Sequence, residues 1–167
     1  MQKSRSSLTK LLICAMLCAL SVVLGTYFAI PMPIMSANSF KLSLAMIPIF
    51  IASILYGPIY GMVSGFSAEL IKILLIAGDY PFLITAALTG LIPGLFFIKS
   101  NKLSLLKLSA SIAATQIICS VFLNTFLISF LYGTPIKVLL PLRAINQAVH
   151  IPVFIFITNL LLKSKIR

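Results

Sequence analysis

Long apolar runs with almost no charge constrain this chain more than any other feature. The run from residue 7 to residue 30 contains a single charged side chain, that of Lys10. Only 9% of the 167 residues are charged and 60% are hydrophobic, whereas soluble domains average about 25% charged residues. A membrane-spanning helix needs about 20 mostly apolar residues. We therefore expect an all-α integral membrane protein, with a single domain over residues 1–167 and no separate soluble domain.

Six apolar runs predict six transmembrane helices, separated by short segments rich in Pro, Gly and polar residues. The predicted helices are Ser7–Ile30, Leu42–Tyr56, Ile59–Ala77, Phe82–Ile98, Leu105–Leu131 and Val138–Leu162. The second is short and contains Pro48, which favours a kink or a tilt. The first run is longer than the apolar part of a signal peptide, so it is predicted to be a retained helix.

Positive charges predict the orientation of these helices. Nine Lys and Arg residues lie before the first helix, between the fourth and fifth, and after the sixth: Lys3, Arg5, Lys10, Lys99, Lys102, Lys107, Lys163, Lys165 and Arg167. With six spans and both termini in the cytoplasm, all nine lie on the cytoplasmic side, as the positive-inside rule requires. Topology and anionic lipid headgroups thus explain the net charge of +11, and nucleic-acid binding is not expected.

The sixth predicted helix carries a polar stripe in an otherwise apolar sequence. The stretch LLPLRAINQAVHIP at 139–152 holds Arg143, Asn146, Gln147 and His150 on one helical face. Such a stripe is costly against hydrocarbon, so it should face the protein interior or a wet cavity. We interpret it as the lining of a pocket for an anionic solute, with His150 as a neutral, hydrogen-bonded side chain.

Other polar residues inside the predicted helices have simpler explanations. Gln116, Ser120 and Asn124 form one row on the fifth helix, for which hydrogen bonding between helices is adequate; Asn124, nearer the outer mouth, is the better pocket candidate. Glu69 and Lys72 are three residues apart and are interpreted as an intrahelical ion pair, from which Lys72 can also reach the pocket.

No motif for catalysis or for metal binding accompanies the stripe. The sequence lacks GxxxxGK[ST], HExxH and GxSxG, and the spacing of Cys14, Cys18 and Cys119 fits no zinc or haem pattern. With two acidic residues in all, coupling of transport to an ion is poorly provided for. We therefore expect a binding protein, not an enzyme, with no metal and no cofactor.

Small residues at four-residue intervals mark two faces on which helices can approach closely. Gly57, Gly61 and Gly65 are best explained by internal packing. Ala15 and Ala19 on the first helix fit either internal packing or the docking of a partner, and spacing alone does not decide between the two.

Five stretches of the chain, taken in order, carry a family resemblance. They are ALSVVLG at 19–25, IPIFIASILYGPIYG at 47–61, YPFLITAALTGLIPGLF at 80–96, LNTFLISFLYGTP at 123–135 and LPLRAINQAVHIP at 140–152. Their order and spacing resemble the substrate-binding S components of energy-coupling factor (ECF) vitamin importers, in particular the folate-type branch. The resemblance covers nearly the whole chain.

The resemblance implies six helices in the ECF S-component fold and a vitamin pocket open to the outside. It also implies a partner module of one transmembrane scaffold protein and two cytoplasmic ATPases, which supply the energy. Ala15 and Ala19 match the family's AxxxA motif, which meets the scaffold.

For a folate cargo, basic side chains suit the two carboxylates, aromatic side chains suit the flat rings, and amides suit the edge of the pterin. The predicted substrate-binding residues are Lys41, Phe40, Tyr80, Phe82, Asn124, Tyr132, Arg143, Asn146 and His150.

Two departures from the folate-type pattern keep alternatives open. Thr26 stands where such members often have arginine, and Glu69 where they tend to have aspartate. The predicted function is binding of folate from outside a prokaryotic plasma membrane and its delivery inward with the scaffold and ATPases. The alternatives are an S component for another vitamin or precursor, such as pantothenate or a purine-like compound, and a solitary small membrane transporter.

Overall fold

The computed structural model describes residues 2–27, 30–31, 41–42, 44–76, 79–98 and 104–166, with the backbone alone at 2–6, 30–31, 41–42 and 164–166. Within these residues the chain forms helices and one short antiparallel ladder. Their bounds are α1 (Gln2–Thr26), β1 (Ile30–Pro31), β2 (Lys41–Leu42), α2 (Met46–Tyr56), α3 (Pro58–Ile76), α4 (Phe82–Phe97), α5 (Leu105–Tyr132) and α6 (Ile136–Ile166). The predicted all-α membrane fold is confirmed, and each predicted helix is present.

The helices differ in their capacity to cross a membrane. α1, α3, α5 and α6 are long and apolar enough to do so. The shorter α2 has 11 residues and α4 has 16, which at about 1.5 Å per residue falls short of a hydrocarbon core of about 30 Å. Six of the residues of α2 are buried, so protein encloses much of this short helix.

The junction between the first two helices differs from the prediction. α1 ends at Thr26, four residues before the predicted end, because Ile30–Pro31 pairs as a strand with Lys41–Leu42. α2 correspondingly begins at Met46. Pro48 therefore lies in the first turn of α2, where its missing N–H is not needed, and the physical reason for the expected kink is removed.

Glycines bring the backbones of α3 and α4 almost into contact. A Cβ atom at Gly61 would overlap the carbonyl oxygen of Gly90, and one at Gly65 would overlap that of Ala86. The packing role predicted for Gly61 and Gly65 is confirmed. We call this contact the glycine seam: Gly61, Gly65, Gly90 and Gly94.

Gly57 is glycine for a different reason, and its predicted packing role is wrong. It caps α2 with φ of 105°, and its N–H donates to the carbonyl oxygen of Ser53 at 3.0 Å. Among the described residues, apart from its own chain neighbours, no atom lies within 4 Å of where its Cβ would be. Positive φ, not close approach, requires glycine here.

α1 buries one face and exposes the other. Cys14 and Cys18 are buried, whereas Ala15 and Ala19 are exposed. Of the two interpretations of the Ala15/Ala19 face, internal packing therefore does not fit the fold.

α5 changes its winding halfway along. Leu105–Thr115 is α-helical, Gln116–Leu123 is π-helical and Asn124–Tyr132 is α-helical again. A π-helical turn is rare and is frequently found at functional sites. This segment packs against α6, so it lies beside the polar stripe.

The hydrophobic core lies next to that contact. Phe50 of α2 and Phe154 of α6 are fully buried and pack edge to face, with ring centroids 5.9 Å apart. Leu108 and Ile112 of α5 belong to the same cluster. This packing ties α2, α5 and α6 together beneath a cavity.

Candidate functional site

A cavity of about 280 Å³ lies between α2, α3, α4, α5 and α6. Its volume is just below the range of about 300–1,000 Å³ that is usual for sites of whole small molecules. Phe154, which belongs to the hydrophobic core, also lines it.

The polar stripe of α6 forms one wall of this cavity. Arg143, Asn146, Gln147 and His150 all line it, as their spacing on one helical face requires. The expectation that the stripe faces an interior cavity is confirmed. The Nδ1 atom of His150 lies 2.9 Å from the carbonyl oxygen of Asn146; since a carbonyl can only accept, this histidine is hydrogen-bonded as predicted.

The π-helical segment anchors the stripe through one residue, Ser120. Its carbonyl oxygen accepts a hydrogen bond from Nη1 of Arg143 at 3.0 Å, and its Oγ accepts one from Nε2 of Gln147 at 2.6 Å. The interhelical hydrogen bonding predicted for Ser120 is confirmed. Both bonds fix α6 side chains that would otherwise be free to turn.

Gln116 and Asn124 extend this wall along α5. Both line the cavity, and Nε2 of Gln116 donates to the sulfur of Met46 at 3.4 Å. Gln116 therefore also bonds to another helix, as predicted.

Four buried polar atoms of the wall have no hydrogen-bond partner within the described part of the chain. They are Gln116 Oε1, Asn124 Oδ1, Gln147 Oε1 and Arg143 Nε. Leaving a buried polar atom unpaired costs about 1–3 kcal/mol, so such a group is expected where a ligand completes it. We call the three amides the amide wall: Gln116, Asn124 and Gln147.

The charges around the cavity leave one positive charge unbalanced. Glu69 and Lys72 both line it and form the predicted ion pair. Among the described residues no carboxylate pairs with Arg143. Because the pair is neutral in sum, Arg143 gives the cavity its net charge.

The α4 wall differs in its chemistry. Thr85 and Thr89 donate their hydroxyls to carbonyl oxygens of their own helix, at 2.9 and 2.7 Å. Phe82 and Ala86 complete this wall. With its donors already used, this wall presents mainly an apolar surface, which suits the face of a flat ring.

Five of the predicted substrate-binding residues meet at this cavity: Phe82, Asn124, Arg143, Asn146 and His150. Their role in binding stays a prediction. Phe40 lies outside the described residues, and of Lys41 the structure describes only the backbone, in β2.

Tyr80 and Tyr132 do not line the cavity. Their side chains are 66% and 62% exposed, and the hydroxyl of Tyr132 donates to the carboxylate of Asp79. This placement is typical of aromatic anchors at the membrane interface, and not of side chains that stack on a ligand ring in the cavity.

Some cavity residues were absent from the predicted set. Gln147 belongs to the stripe that is predicted to line the pocket but not to the predicted substrate-binding residues, and Gln116 is predicted only to form hydrogen bonds between helices. Thr85, Thr89 and Met46 carried none, because threonine and methionine are ordinary components of membrane helices.

Comparison with known proteins finds a transporter family, a folate transporter and a solved FolT structure. Residues 5–166 match the family described as "ECF-type riboflavin transporter, S component". The folate transporter FolT of Clostridium novyi (strain NT) is 22% identical over 142 residues, which are 83% of this chain and 79% of that protein. The crystal structure of FolT bound with folic acid superposes with a TM-score of 0.76 at 23% identity, over 89% of each chain.

The structural match shows that the fold is the ECF S-component fold, which confirms the resemblance found in the sequence. The family match spans nearly the whole chain, and the apolar helices agree with a multi-pass protein of the prokaryotic plasma membrane. On this evidence the chain belongs to the family of ECF-type riboflavin transporter S components.

Proposed function

We propose that this S component binds folate in the cavity between α2 and α6 and delivers it inward together with an energising module. The observation that carries the cargo assignment is Arg143, a partly buried guanidinium without a carboxylate partner in the described part of the chain. The folate transporter of Clostridium novyi and the FolT structure with folic acid support the same cargo.

The free edge of Arg143 fits a carboxylate. Nη1 is already bonded to Ser120, whereas Nε is buried and unpartnered. Nε and Nη2 form one edge of the planar guanidinium and can bind both oxygens of a carboxylate. Folate carries two carboxylates, and one of them would occupy this edge.

Riboflavin, the cargo in the family's description, fits this feature less well. It is uncharged at neutral pH, so it would leave Arg143 buried without a counter-charge, which is costly. Pantothenate carries one carboxylate and satisfies the charge, but it has no flat ring to cover the α4 wall and the amide wall.

The cargo test is calorimetry on the purified, detergent-solubilised protein, titrated with folate, riboflavin and pantothenate in the absence of ATP. We expect one-to-one binding of folate that is tighter than that of the other two. Arg143→Met should weaken folate binding by about 2–4 kcal/mol, because one partner of a buried charge pair is lost. Lys107→Met, which removes an exposed lysine of α5, is the control and should leave the affinity unchanged.

Tighter binding of riboflavin than of folate would show that the cargo is not folate, while the family assignment would stand. Unchanged folate affinity in Arg143→Met would remove Arg143 from the site. Failure of all three vitamins to bind would contradict the proposal that this cavity binds a vitamin.

The energy for transport is proposed to come from partners, a transmembrane scaffold protein and two cytoplasmic ATPases, since the chain carries no nucleotide-binding motif of its own. The exposed Ala15/Ala19 face of α1 supports a docking surface for the scaffold. Small residues let another helix approach closely in lipid.

The docking test compares Ala15→Leu and Ala19→Leu with Leu20→Phe, which adds bulk at an exposed α1 position about 100° around the helix from Ala19 and about 140° from Ala15. We expect the alanine variants to bind folate normally but to lose uptake in vesicles that contain the module, and Leu20→Phe to retain both. Uptake that survives Ala15→Leu and Ala19→Leu would show that the scaffold docks elsewhere.

A further inference from the structure

The π-helical winding of α5 changes which backbone N–H reaches which carbonyl oxygen near Ser120. In an α-helix, the N–H of Asn124 would donate to the carbonyl oxygen of Ser120, four residues earlier. Here it donates to the carbonyl oxygen of Cys119, five residues earlier. The winding therefore leaves the carbonyl of Ser120 without the donor that an α-helix would supply.

The side chain of Arg143 takes the place of that donor. Ser120 is 7% exposed, and a backbone carbonyl in such a buried position needs a hydrogen-bond partner. Nη1 of Arg143, on α6, donates to it at 3.0 Å. A charged donor makes this bond stronger than one between neutral groups. The winding of α5 thus provides a free acceptor, and the guanidinium satisfies it.

This bond limits the directions in which the guanidinium can point. The group is planar and its N–H donors have fixed relative directions, so a bond at Nη1 also restricts Nε and Nη2. Nε of Arg143 is buried without a partner among the residues that the structure describes, and Arg143 lines the cavity. The edge that the proposed function assigns to a carboxylate is therefore restrained by the protein itself.

We propose that Ser120 is a positioning residue that acts through its backbone: the π-helical winding frees its carbonyl oxygen, and that oxygen holds Arg143 in the orientation that receives the ligand. A side chain that turns freely loses conformational entropy when it binds, and one that is already held loses less. The inference rests on the proposed function, folate binding through Arg143. The rare winding of α5 would then have a direct role in binding.

The first test removes one residue from the winding. Ile118 lies in the π-helical segment, is 46% exposed and is not among the described residues that line the cavity. A π-helical bond encloses one residue more than an α-helical bond. Deletion of Ile118 should therefore let Asn124 pair with Ser120 while the helical parts on either side keep their orientation. Ile118→Ala, which removes the same side chain but keeps the winding, is the matched control.

The readout is folate affinity, measured by calorimetry on the detergent-solubilised protein. Deletion of Ile118 should weaken binding about tenfold, the upper part of the usual cost of ordering one long side chain. Ile118→Ala should bind folate as wild-type protein does. In the Arg143→Met protein the same deletion should change the affinity by less than about twofold, because two changes that act through one group do not add.

Nuclear magnetic resonance of protein with isotope-labelled arginine follows the guanidinium itself, without a ligand. A guanidinium held by a hydrogen bond rotates slowly and gives separate Nη–H signals, whereas a free one gives averaged signals. The signals of Arg143 are assigned by their loss in Arg143→Met. We expect separate signals in wild-type protein, in Ile118→Ala and in Ser120→Ala, which keeps the carbonyl. Deletion of Ile118 should give averaged signals.

Three results would overturn the inference while the proposed function stands. The first is averaged Arg143 signals in wild-type protein, a result that does not depend on the folding of a deletion variant. The second is unchanged folate affinity after deletion of Ile118. The third is an equal loss on deletion in wild-type and Arg143→Met protein, which would show a defect that does not act through Arg143. Wild-type protein that binds no folate would remove the proposed function, and the inference with it.

Discussion

The glycine seam between α3 and α4 and the amide wall on α5 and α6 differ in how completely their atoms are packed and paired. In the seam, helix backbones approach so closely that a single Cβ atom does not fit at Gly61 or Gly65. In the amide wall, three side-chain oxygens are buried and left without partners in the described structure. The seam therefore supplies stability, whereas the wall gives up stability and holds groups ready for a ligand.

The largest effect is expected from breaking the seam. In Gly61→Ala, the new methyl group overlaps the carbonyl oxygen of Gly90, which belongs to the backbone and cannot turn away. The free energy of unfolding should fall by about 3 kcal/mol, the upper part of the usual range for overpacking. Denaturant or thermal unfolding in detergent measures it.

Val63→Ala, at a half-exposed position of the same helix, is the control and should change the free energy of unfolding by less than about 0.5 kcal/mol. A Gly61→Ala protein as stable as this control would show that α3 and α4 can move apart without loss.

A change of stability in the opposite direction is expected at Arg143, which lies beside the amide wall. Arg143→Met removes a partly buried charge that no described carboxylate balances. The unliganded protein should become more stable by about 1–2 kcal/mol, since hydrophobic replacements of poorly compensated buried charges are often stabilising. The same unfolding measurement without vitamin checks this, and a loss of stability would mean that the bond to Ser120 outweighs the cost of burying the charge.

A smaller effect is expected from Ser120→Ala. The substitution removes the Oγ acceptor of Gln147 but keeps the backbone carbonyl that holds Arg143. We expect a loss of about 1 kcal/mol in the free energy of unfolding, the usual contribution of one hydrogen bond. Ser109→Ala, whose exposed hydroxyl bonds within α5, should have almost no effect; equal losses in the two variants would contradict a special role for Ser120.

The smallest effect is expected outside the cavity, at Tyr132. Tyr132→Phe removes an exposed hydrogen bond to Asp79, and exposed polar pairs contribute little to stability. Folate affinity, measured by calorimetry, should stay within about twofold for the same reason. A tenfold loss of affinity would return Tyr132 to the substrate-binding set.

Sequence patterns predicted the parts of this fold that local chemistry controls. Helix ends at Tyr56, before the Gly57–Pro58 turn, and at Phe82, after Pro81, were correctly predicted. The end of α1 was not, because the pairing of Ile30–Pro31 with Lys41–Leu42 joins two segments that are separated by residues 32–40. No local preference within the apolar run to Ile30 reveals that pairing.

In the site, too, the features that local chemistry controls were predictable and the others were not. Arg143 and its stripe were predictable, because a charge within an apolar helix is costly and must be accommodated. The π-helical winding was not, because the spacing of Gln116, Ser120 and Asn124 fits an α-helix equally well. Tyr80 was expected at the pocket because it is aromatic and lies near the mouth, yet nearness along the chain did not bring it to the cavity.

The short helices α2 and α4 have an electrostatic consequence, because both begin at the cavity. Ala45 and Met46 at the start of α2 line it, as does Phe82, the first residue of α4. The aligned peptide dipoles of a helix place roughly half a positive elementary charge at its N-terminus. Part of the cavity's attraction for anions therefore comes from the backbone, where neither pH nor a side-chain substitution can remove it, and a protein without Arg143 would still favour an anion over a cation.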